Sequence, residues 1–169
     1  MDATNFMALV LACAPQVHPS TAHALVSVES AFNPWAIGVV GGALVRQPQN
    51  HAEALATARE LQALGHNFSV GLGQINRGNF ARLGLTTATA FDPCLNLTAM
   101  QAILSECFDR AQVGRAPPNS DQPALRMALS CYYSGNFSTG FRHGYVQKVM
   151  AAARTVSRSQ PKLVPKESS

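Results

Sequence analysis

The sequence is short of charge, and above all of acidic side chains. Only 13% of its 169 residues are charged, against about 25% in an average globular protein. Aromatic residues make up 7% and there is a single Trp, whereas 47% of the residues are apolar. So little charge with so many apolar side chains excludes a chain that is disordered throughout. No apolar run reaches about 18 residues, so we expect no stable membrane insertion.

The nine carboxylates are few enough to consider one by one. Any acid/base chemistry carried out by a carboxylate must use one of them. Eight occupy positions typical of helix caps, polar helix faces, loops or chain ends, namely Asp2, Glu53, Glu60, Asp92, Glu106, Asp109, Asp121 and Glu167. Glu29 alone has an apolar setting.

The basic charge is concentrated at the C-terminal end. Residues 1–150 carry a net charge of +1 and residues 151–169 a net charge of +3. We therefore predict one domain over residues 1–157 and a basic, disordered tail over 158–169. The tail is either simply solvated or touches a membrane surface or an acidic polymer. Because basic residues and aromatics are not interleaved in the folded part, we expect no nucleic-acid partner.

The first apolar stretch, residues 6–14, is predicted to be part of an amphipathic helix. It lacks a positively charged leading segment, and the Cys13-Ala14-Pro15 sequence is a poor cleavage site. If the protein is exported, its signal peptide is therefore expected to lie outside this sequence.

Helix caps and apolar periodicity predict a mainly α fold with a small, irregular hairpin region. The glycine-rich stretches 33–50 and 66–78 are predicted to be loops or hairpins, and long loops are often functional. Residues 114–121 are predicted to be a loop. Helices are expected at 3–14, 19–31, 50–64, 93–113, 122–134 and 144–157, with a short one at 78–83.

Glu29 lies on the apolar face of the second predicted helix. Ala22, Leu25, Val26 and Glu29 follow the i, i+3, i+4, i+7 spacing of one helical face. Burial there would raise the pKa of the carboxyl group, as a general acid working near neutral pH requires. The alternative is a structural Glu that is solvated at the helix end or paired with a cation.

Two further blocks of sequence carry polar side chains that are candidates for a functional site. The first, Gly71 to Asn76, combines glycines with the amides of Gln74 and Asn76, although a plain turn would look the same. The second, Ala128 to Gly135, contains two adjacent tyrosines at the end of a predicted helix. Such a pair more often consists of half-buried packing residues than of catalytic ones.

Taken in order, the three blocks resemble the lysozyme-like lytic transglycosylases. That family has Glu-Ser-x-x-Asn-Pro, then Gly-Leu-x-Gln-Ile, then Ala-x-x-x-Tyr-Asn-x-Gly. Further segments are similar to the branch that serves type IV secretion and conjugative transfer. They are Ala36 to Val39, Arg46 to Pro48, Asn67-Phe68, Phe91 to Cys94 and Gly135 to Phe137.

The resemblance implies an α+β lysozyme-like fold and a cleft that binds the glycan strands of peptidoglycan. Glu29 would protonate the oxygen between N-acetylmuramic acid and N-acetylglucosamine, and then deprotonate the muramoyl C6 hydroxyl. Ring closure to the 1,6-anhydro sugar consumes no water. One carboxylate is then enough, which agrees with the lack of a second candidate for a two-carboxylate glycosidase.

The resemblance also implies roles for the other site residues. Gln74 and Asn76 would line the sugar cleft, and Tyr132 would hydrogen-bond near Glu29 and hold it in place. Ser30 and Tyr133 complete the expected substrate-binding set. The implied location is the periplasm, and other subunits of a type IV secretion system are the implied protein partners.

Two positions depart from the family pattern. Tyr133 stands where an Asn usually follows the motif tyrosine. Gly38 stands where many relatives have a Ser, nine residues after the acid. Both leave room for one alternative, a wall-binding assembly factor with little catalysis. A separate alternative is a lysozyme-type hydrolase, which differs only in using water as the acceptor.

The four cysteines and five histidines do not have the spacing of a metal site, and we expect no metal or cofactor. Cys94 and Cys107 lie on one predicted helix, roughly 20 Å apart at about 1.5 Å per residue, which is too far for a disulfide. If oxidised, each must pair with Cys13 or Cys131; the alternative is free buried thiols.

Overall fold

Helices dominate the computed structural model, which describes residues 1–113 and 121–159. In chain order the helices are α1 (Ala3–Cys13), α2 (Pro19–Ser30), α3 (His51–Ala63), α4 (Pro93–Gln112), α5 (Asp121–Ser134), α6 (Thr139–Arg142) and α7 (Tyr145–Ser159). Three strands, β1 (Ile37–Val39), β2 (Phe68–Val70) and β3 (Ile75–Asn76), form one small sheet. The predicted mainly α class with a small hairpin region is confirmed.

Local sequence explains where the long helices begin. Side-chain oxygens of Asp2, Asn50 and Asp92 accept hydrogen bonds from backbone N–H groups in the first turns of α1, α3 and α4. Pro19 and Pro93 occupy the first turns of α2 and α4, where a missing N–H costs nothing. These caps place the helix starts close to their predicted positions.

The predicted short helix at 78–83 is wrong in type. Two 3-10 turns, Arg77–Asn79 and Ala81–Leu83, occupy this region, separated by Phe80. A third such turn, Thr89–Phe91, precedes α4, and neither it nor α6 was predicted. Segments of three or four residues are too short to display a helical period, so apolar spacing does not reveal them.

The core lies between α2, α4, α5 and α7. Helix α4 packs along α5, while α2 packs along α7. Among the largest fully buried side chains are Phe6, Leu25, Phe91, Met100 and Leu129. The three apolar members of the predicted stripe, Ala22, Leu25 and Val26, are each 0% exposed, so the face of α2 that carries Glu29 does point inward.

The sheet is antiparallel in the order β1-β2-β3. Ile37 pairs with Val70 and Val70 pairs with Ile75, and these three side chains face the core. Because side chains alternate along a strand, the intervening residues face the opposite side. There Gly38 lies beside Ser69, and Ser69 beside Asn76, as a polar row across the three strands.

All four cysteines form disulfides. Cys13 pairs with Cys94 and Cys107 pairs with Cys131, with Cα atoms 5.2 and 5.7 Å apart. The exclusion of a Cys94–Cys107 bond is confirmed, as is the pairing of each with Cys13 or Cys131.

Two predictions fall mainly outside the described ranges. The predicted tail, 158–169, is described only at residues 158 and 159, which belong to α7, and the predicted loop 114–121 only at Asp121, the first residue of α5. Within residues 1–113 and 121–159, no helix is both long enough and apolar enough to cross a bilayer.

Candidate active site

A cleft of about 480 Å³ separates the polar face of the sheet from the helices. Gly38, Ser69, Gln74 and Asn76 line its sheet side. The helical side is formed by Glu29 at the end of α2, Ile103 of α4, and Tyr132, Tyr133 and Ser134 at the end of α5. Glu29, Gln74, Asn76, Tyr132 and Tyr133 therefore share one cavity, but Ser30 does not line it.

Glu29 is half-buried in the wall of this cleft, and a tyrosine that the sequence did not single out holds it. The hydroxyl of Tyr145 donates a hydrogen bond to Glu29 Oε1 across 2.5 Å. Burial raises the pKa of the Glu29 carboxyl group to about 7, although the bond from Tyr145 acts in the opposite direction. The carboxyl group is thus largely protonated at slightly acidic pH and can both donate and accept a proton near neutrality.

The two tyrosines beside Glu29 remain hydrogen-bond donors. Burial, and then the nearby Glu29 charge, raise the pKa of both Tyr132 and Tyr145 above the ordinary tyrosine value. Neither phenol ionises near neutral pH, so Tyr145 keeps the proton that it shares with the carboxylate.

Glu29 is the sole Asp or Glu among the described residues that line the cleft. Glu53 instead pairs with Arg46, and Glu106 pairs with Arg82, at the surface. Asp92 caps α4, as predicted. A mechanism that needs two carboxylates on opposite sides of a scissile bond has no second group in this part of the structure.

The turn that follows Glu29 has an unusual backbone. Ala31 and Phe32 both have positive φ angles, 49° and 62°, which residues with a Cβ rarely adopt. The Phe32 ring packs on Phe6 and His23, with ring centroids 5.1 and 4.7 Å away. This packing fixes the end of α2 that carries Glu29.

The segment Val70 to Gln74 is held from three helices at once. Buried Asn96 of α4 accepts a hydrogen bond from the Gly73 N–H at 2.7 Å and donates to the Val70 and Ala90 carbonyls at 3.0 and 2.8 Å. Ser30 of α2 donates to the Leu72 carbonyl at 2.9 Å. Tyr132 of α5 donates to the Gly73 carbonyl at 2.6 Å.

These bonds show what the hydroxyl groups of Tyr132 and Ser30 contact. The Tyr132 hydroxyl is engaged with Gly73, so the expected anchoring of Glu29 is performed by Tyr145. The Ser30 hydroxyl bonds to Leu72 and, at 3.2 Å, to Val26 of its own helix, so it fastens the loop to α2 and does not face the cleft. Both hydroxyl groups hold backbone segments in place. A sequence motif alone does not distinguish this role from contact with a ligand.

Gln74 presents an amide whose orientation is fixed. Its φ is 50°, and its Nε2 donates to the carbonyls of Ala36 and Gly71 at 3.1 and 3.0 Å. Because both amide hydrogens are used, Oε1 points away from those carbonyls. A Cβ placed on Gly38 would lie 2.7 Å from this Oε1, so the glycine leaves the space that the amide oxygen occupies.

Both polar atoms of the Asn76 side chain form hydrogen bonds within the protein. Its Nδ2 donates to Asn67 Oδ1 at 2.8 Å and to Ser69 Oγ at 3.3 Å, and its Oδ1 accepts from the Gly78 N–H at 3.0 Å. It lines the cleft, but it also organises the polar row on the sheet.

Tyr133 lies at the rim of the cleft, beside Tyr145, which holds Glu29. Its ring stacks on that of Tyr145, and its hydroxyl lies 3.0 Å from His143 Nδ1. Tyr145, His143 and Asn96 were all missed by the sequence analysis. Tyr145 is 116 positions from Glu29, and no local pattern reports a contact at that distance along the chain.

Within residues 1–113 and 121–159, no group of three potential ligands is placed to hold a metal ion. The groups that line the cleft can support proton transfer by Glu29, with hydrogen bonding from the amides and tyrosines around it.

Comparison with known proteins places these features in a wider context. The family model for the Transglycosylase SLT domain matches residues 6–154. The "Type IV secretion system protein virB1" of Brucella suis biovar 1 is 51% identical over 158 residues, covering 90% of this chain and 66% of that protein. "Protein virB1" of Agrobacterium fabrum is 38% identical over 142 residues, covering 84% of this chain and 56% of that protein.

The chain thus spans slightly less than two thirds of the length of the Brucella relative, at 66%. No solved structure matches the chain.

Proposed function

The chain belongs to the Transglycosylase SLT domain family, and from this membership and the cleft geometry we propose that it is a peptidoglycan lytic transglycosylase. The proposed reaction cleaves the β-1,4 bond between N-acetylmuramic acid and N-acetylglucosamine and releases a 1,6-anhydro-muramoyl end. The observation that carries the proposal is Glu29: it is the lone carboxylate lining the described cleft, and its pKa is raised to about 7.

In the first step, the protonated Glu29 donates its proton to the glycosidic oxygen, and the bond from that oxygen to the muramoyl C1 breaks. The N-acetylglucosamine side leaves with a new hydroxyl group. The carbonyl oxygen of the substrate's own acetamido group stabilises the electron-poor C1. This intramolecular group takes the place of a second carboxylate.

In the second step, the Glu29 carboxylate accepts the proton of the muramoyl C6 hydroxyl. The C6 oxygen then bonds to C1 and closes the 1,6-anhydro ring. The proton lost in the first step is regained in the second, so the cycle consumes no water. A pKa near 7 allows Glu29 to act as the acid in the first step and as the base in the second.

The surrounding residues have supporting roles in this proposal. Tyr145 keeps the Glu29 carboxyl group in one orientation through its 2.5 Å hydrogen bond. Gln74 offers a fixed amide oxygen to the glycan, and Asn76 shapes the same sheet wall of the cleft. Ser30 and Tyr132 keep the backbone of residues 72 and 73 in place.

We further propose that the protein acts in the periplasm, where it opens the wall locally for a type IV secretion or conjugation apparatus. The printed names of the Brucella and Agrobacterium relatives motivate this context. Two disulfides agree with an oxidising compartment. The protein partners would be other subunits of the same apparatus.

Product analysis tests the reaction directly. Purified peptidoglycan is digested with the protein, and the released muropeptides are examined by mass spectrometry. We expect 1,6-anhydro-muramoyl ends, which are lighter by one water than the products of hydrolysis. Reducing muramic acid ends would instead identify a lysozyme-type hydrolase.

Two variants control the experiment. Glu29→Gln should abolish product formation, because the amide can neither donate nor accept the required proton. Glu60→Gln removes an exposed acid from α3, outside the cleft, and should digest peptidoglycan at the wild-type rate. Full activity of Glu29→Gln would remove Glu29 from its role, and binding without turnover by the wild type would favour a wall-binding assembly factor.

A further inference from the structure

Three side chains form an aromatic cluster at the rim of the cleft, which we call the rim cluster: Tyr133, His143 and Tyr145. Tyr133 is at the end of α5, His143 follows α6, and Tyr145 begins α7. The mechanism uses Tyr145 to orient Glu29 but gives no task to the other two. Tyr133 also occupies the position where the family pattern has a smaller polar residue.

The geometry of the rim cluster fixes the Tyr133 ring in one plane. Its ring lies nearly parallel to that of Tyr145, at 18°, with centroids 4.5 Å apart. The His143 ring meets it edge-on at 79°, and His143 Nδ1 lies 3.0 Å from the Tyr133 hydroxyl. A stack on one face and a hydrogen bond at the end together restrict both side-chain torsions of Tyr133.

The other face of Tyr133 is available to a ligand. Tyr133 is 44% exposed, whereas Tyr145 beneath it is only 7% exposed. Since Tyr145 covers one face of the Tyr133 ring, the exposed surface belongs to the other face and the edges. Tyr133 also lines the cavity that contains Glu29, so this surface borders the space where a substrate would lie.

We propose that Tyr133 is a stacking platform for one pyranose ring of the glycan, and that His143 is the positioning residue that holds the platform. This inference rests on the proposed function and names a subsite for it. The carbon-bound hydrogens of a pyranose form an apolar face, which is attracted to the electron-rich face of an aromatic ring. A ring that is already immobilised loses little freedom when the sugar binds.

Binding measurements in an inactive background test the platform. Tetra-N-acetylchitotetraose is titrated into Glu29→Gln protein by calorimetry, so no turnover disturbs the result. Tyr133→Ala should weaken binding about three- to tenfold, the range that aromatic stacking supports. Tyr133→Phe keeps the ring and should restore most of the lost affinity, while His143→Ala should lower affinity by about twofold.

Steady-state kinetics on peptidoglycan separate the platform from a purely structural role. A platform that binds substrate and transition state alike raises KM in the Tyr133→Ala variant and leaves kcat nearly unchanged. Support of Glu29 through the stack on Tyr145 would instead lower kcat and move the pH dependence of the rate. Leu11→Ala, which removes an exposed apolar side chain of α1 outside the cleft, is the control for surface truncation.

The possible failures can be told apart. If the wild type neither binds nor cleaves any glycan, the proposed function is wrong. If the wild type cleaves peptidoglycan while Tyr133→Ala retains wild-type affinity and KM, only the platform is wrong. Equal losses in Tyr133→Phe and Tyr133→Ala would assign the binding contribution to the hydroxyl and overturn stacking.

Discussion

At the scale of single residues, Glu29 is subject to two opposing influences. Burial favours the protonated carboxyl group, whereas the hydrogen bond from Tyr145 favours the carboxylate. The balance places the pKa at about 7, between the value of an exposed glutamate and that of a fully desolvated one. Tyr145 therefore both orients the acid and limits how far its pKa rises.

Replacing Tyr145 with Phe should change the pH dependence of the reaction. Without the hydrogen bond, the pKa of Glu29 rises, so the decline of kcat/KM at alkaline pH begins at higher pH. The loss of orientation should also lower kcat/KM about tenfold at the optimum. The pH profile of peptidoglycan clearance measures both effects.

Tyr132→Phe is the matched control for the Tyr145 variant. It removes a neighbouring hydroxyl that bonds to Gly73 and not to Glu29. In Tyr132→Phe, the decline of kcat/KM at alkaline pH should begin at the same pH as in the wild type. If the decline in Tyr145→Phe also began at the wild-type pH, the assigned hydrogen bond would be contradicted.

Gly38 and Gln74 share one small space in the sheet wall. Adding a methyl group with Gly38→Ala places Cβ 2.7 Å from Gln74 Oε1, so the amide must leave its two carbonyl partners. Because a flexible side chain can move, we expect a small loss of stability but about a tenfold loss in kcat/KM. Kinetics of the single and double variants with Gln74→Ala measure the coupling between the positions.

Gly42→Ala, in the turn that follows β1, provides the comparison, since no atom lies within 4 Å of a Cβ at that position. It should behave like the wild type. If Gly38→Ala lowered kcat/KM by the same factor with and without Gln74→Ala, the two positions would be independent, contrary to the geometry.

At the scale of elements, the connection between α4 and the Val70 to Gln74 segment depends on Asn96. This side chain is fully buried and makes three hydrogen bonds to backbone groups. Gly71, with a φ of 78°, leaves room for it, because a Cβ there would lie 2.3 Å from Asn96 Nδ2.

Asn96→Ala should be strongly destabilising. It removes the side-chain partner of backbone groups of Val70, Gly73 and Ala90 and creates a small cavity, so we expect a loss of about 2–4 kcal/mol. Urea unfolding measures it. Asn5→Ala, at an exposed position in α1, should cost less than about 1 kcal/mol. Similar costs for the two variants would argue against the stabilising role of the Asn96 hydrogen bonds.

The sequence predicted elements and site residues to different degrees, for physical reasons. The face of α2 that carries Glu29 repeats with the helical period, and the capping residues mark where the long helices start. Helix α6, with four residues, has no period to detect. Tyr145 reaches Glu29 only because α7 packs along α2, and His143 reaches Tyr133 only because α6 packs on α5, contacts that no local pattern encodes.

The same distinction applies within the motifs. Ser30 and Tyr132 belong to recognisable blocks, yet their hydroxyl groups bond to backbone carbonyls on other elements. Sequence patterns identify the positions, and only the fold shows that Tyr132 lines the cleft while its hydroxyl group holds the backbone, and that Ser30 does not line the cleft. The number of possible disulfide pairings was reduced because Cys94 and Cys107 lie too far apart along one helix to bond to each other.

At the scale of the whole molecule, the buried acid links stability to pH. Below its unfolded value of 4.5, the Glu29 carboxyl group is protonated in both states. Between 4.5 and about 7, the folded state retains a proton that the unfolded state releases, so stability falls as pH rises. Above about 7 that contribution is fully lost.

Glu29→Gln should therefore unfold at a higher temperature than the wild type at pH 8 and at a similar temperature at pH 4. The shift in pKa from 4.5 to about 7 corresponds to a difference of about 3 kcal/mol in favour of the variant. Thermal unfolding across this pH range measures it. A constant difference between the two proteins at all pH values would contradict a buried, protonated acid.

The two disulfides share α4, one near its start at Cys94 and one at Cys107. The stretch between them carries Asn96 and Ile103, while Cys131 immediately precedes Tyr132 and Tyr133 on α5. Sliding α4 past α1 or α5 would require covalent bonds to break, whereas the three-stranded sheet is joined to the opposite wall by hydrogen bonds and packing alone. The α4 and α5 part of the helical wall is thus tied covalently and the sheet wall only by non-covalent contacts, so we expect any widening of the cleft for a bulkier ligand to involve the sheet before α4 separates from α5.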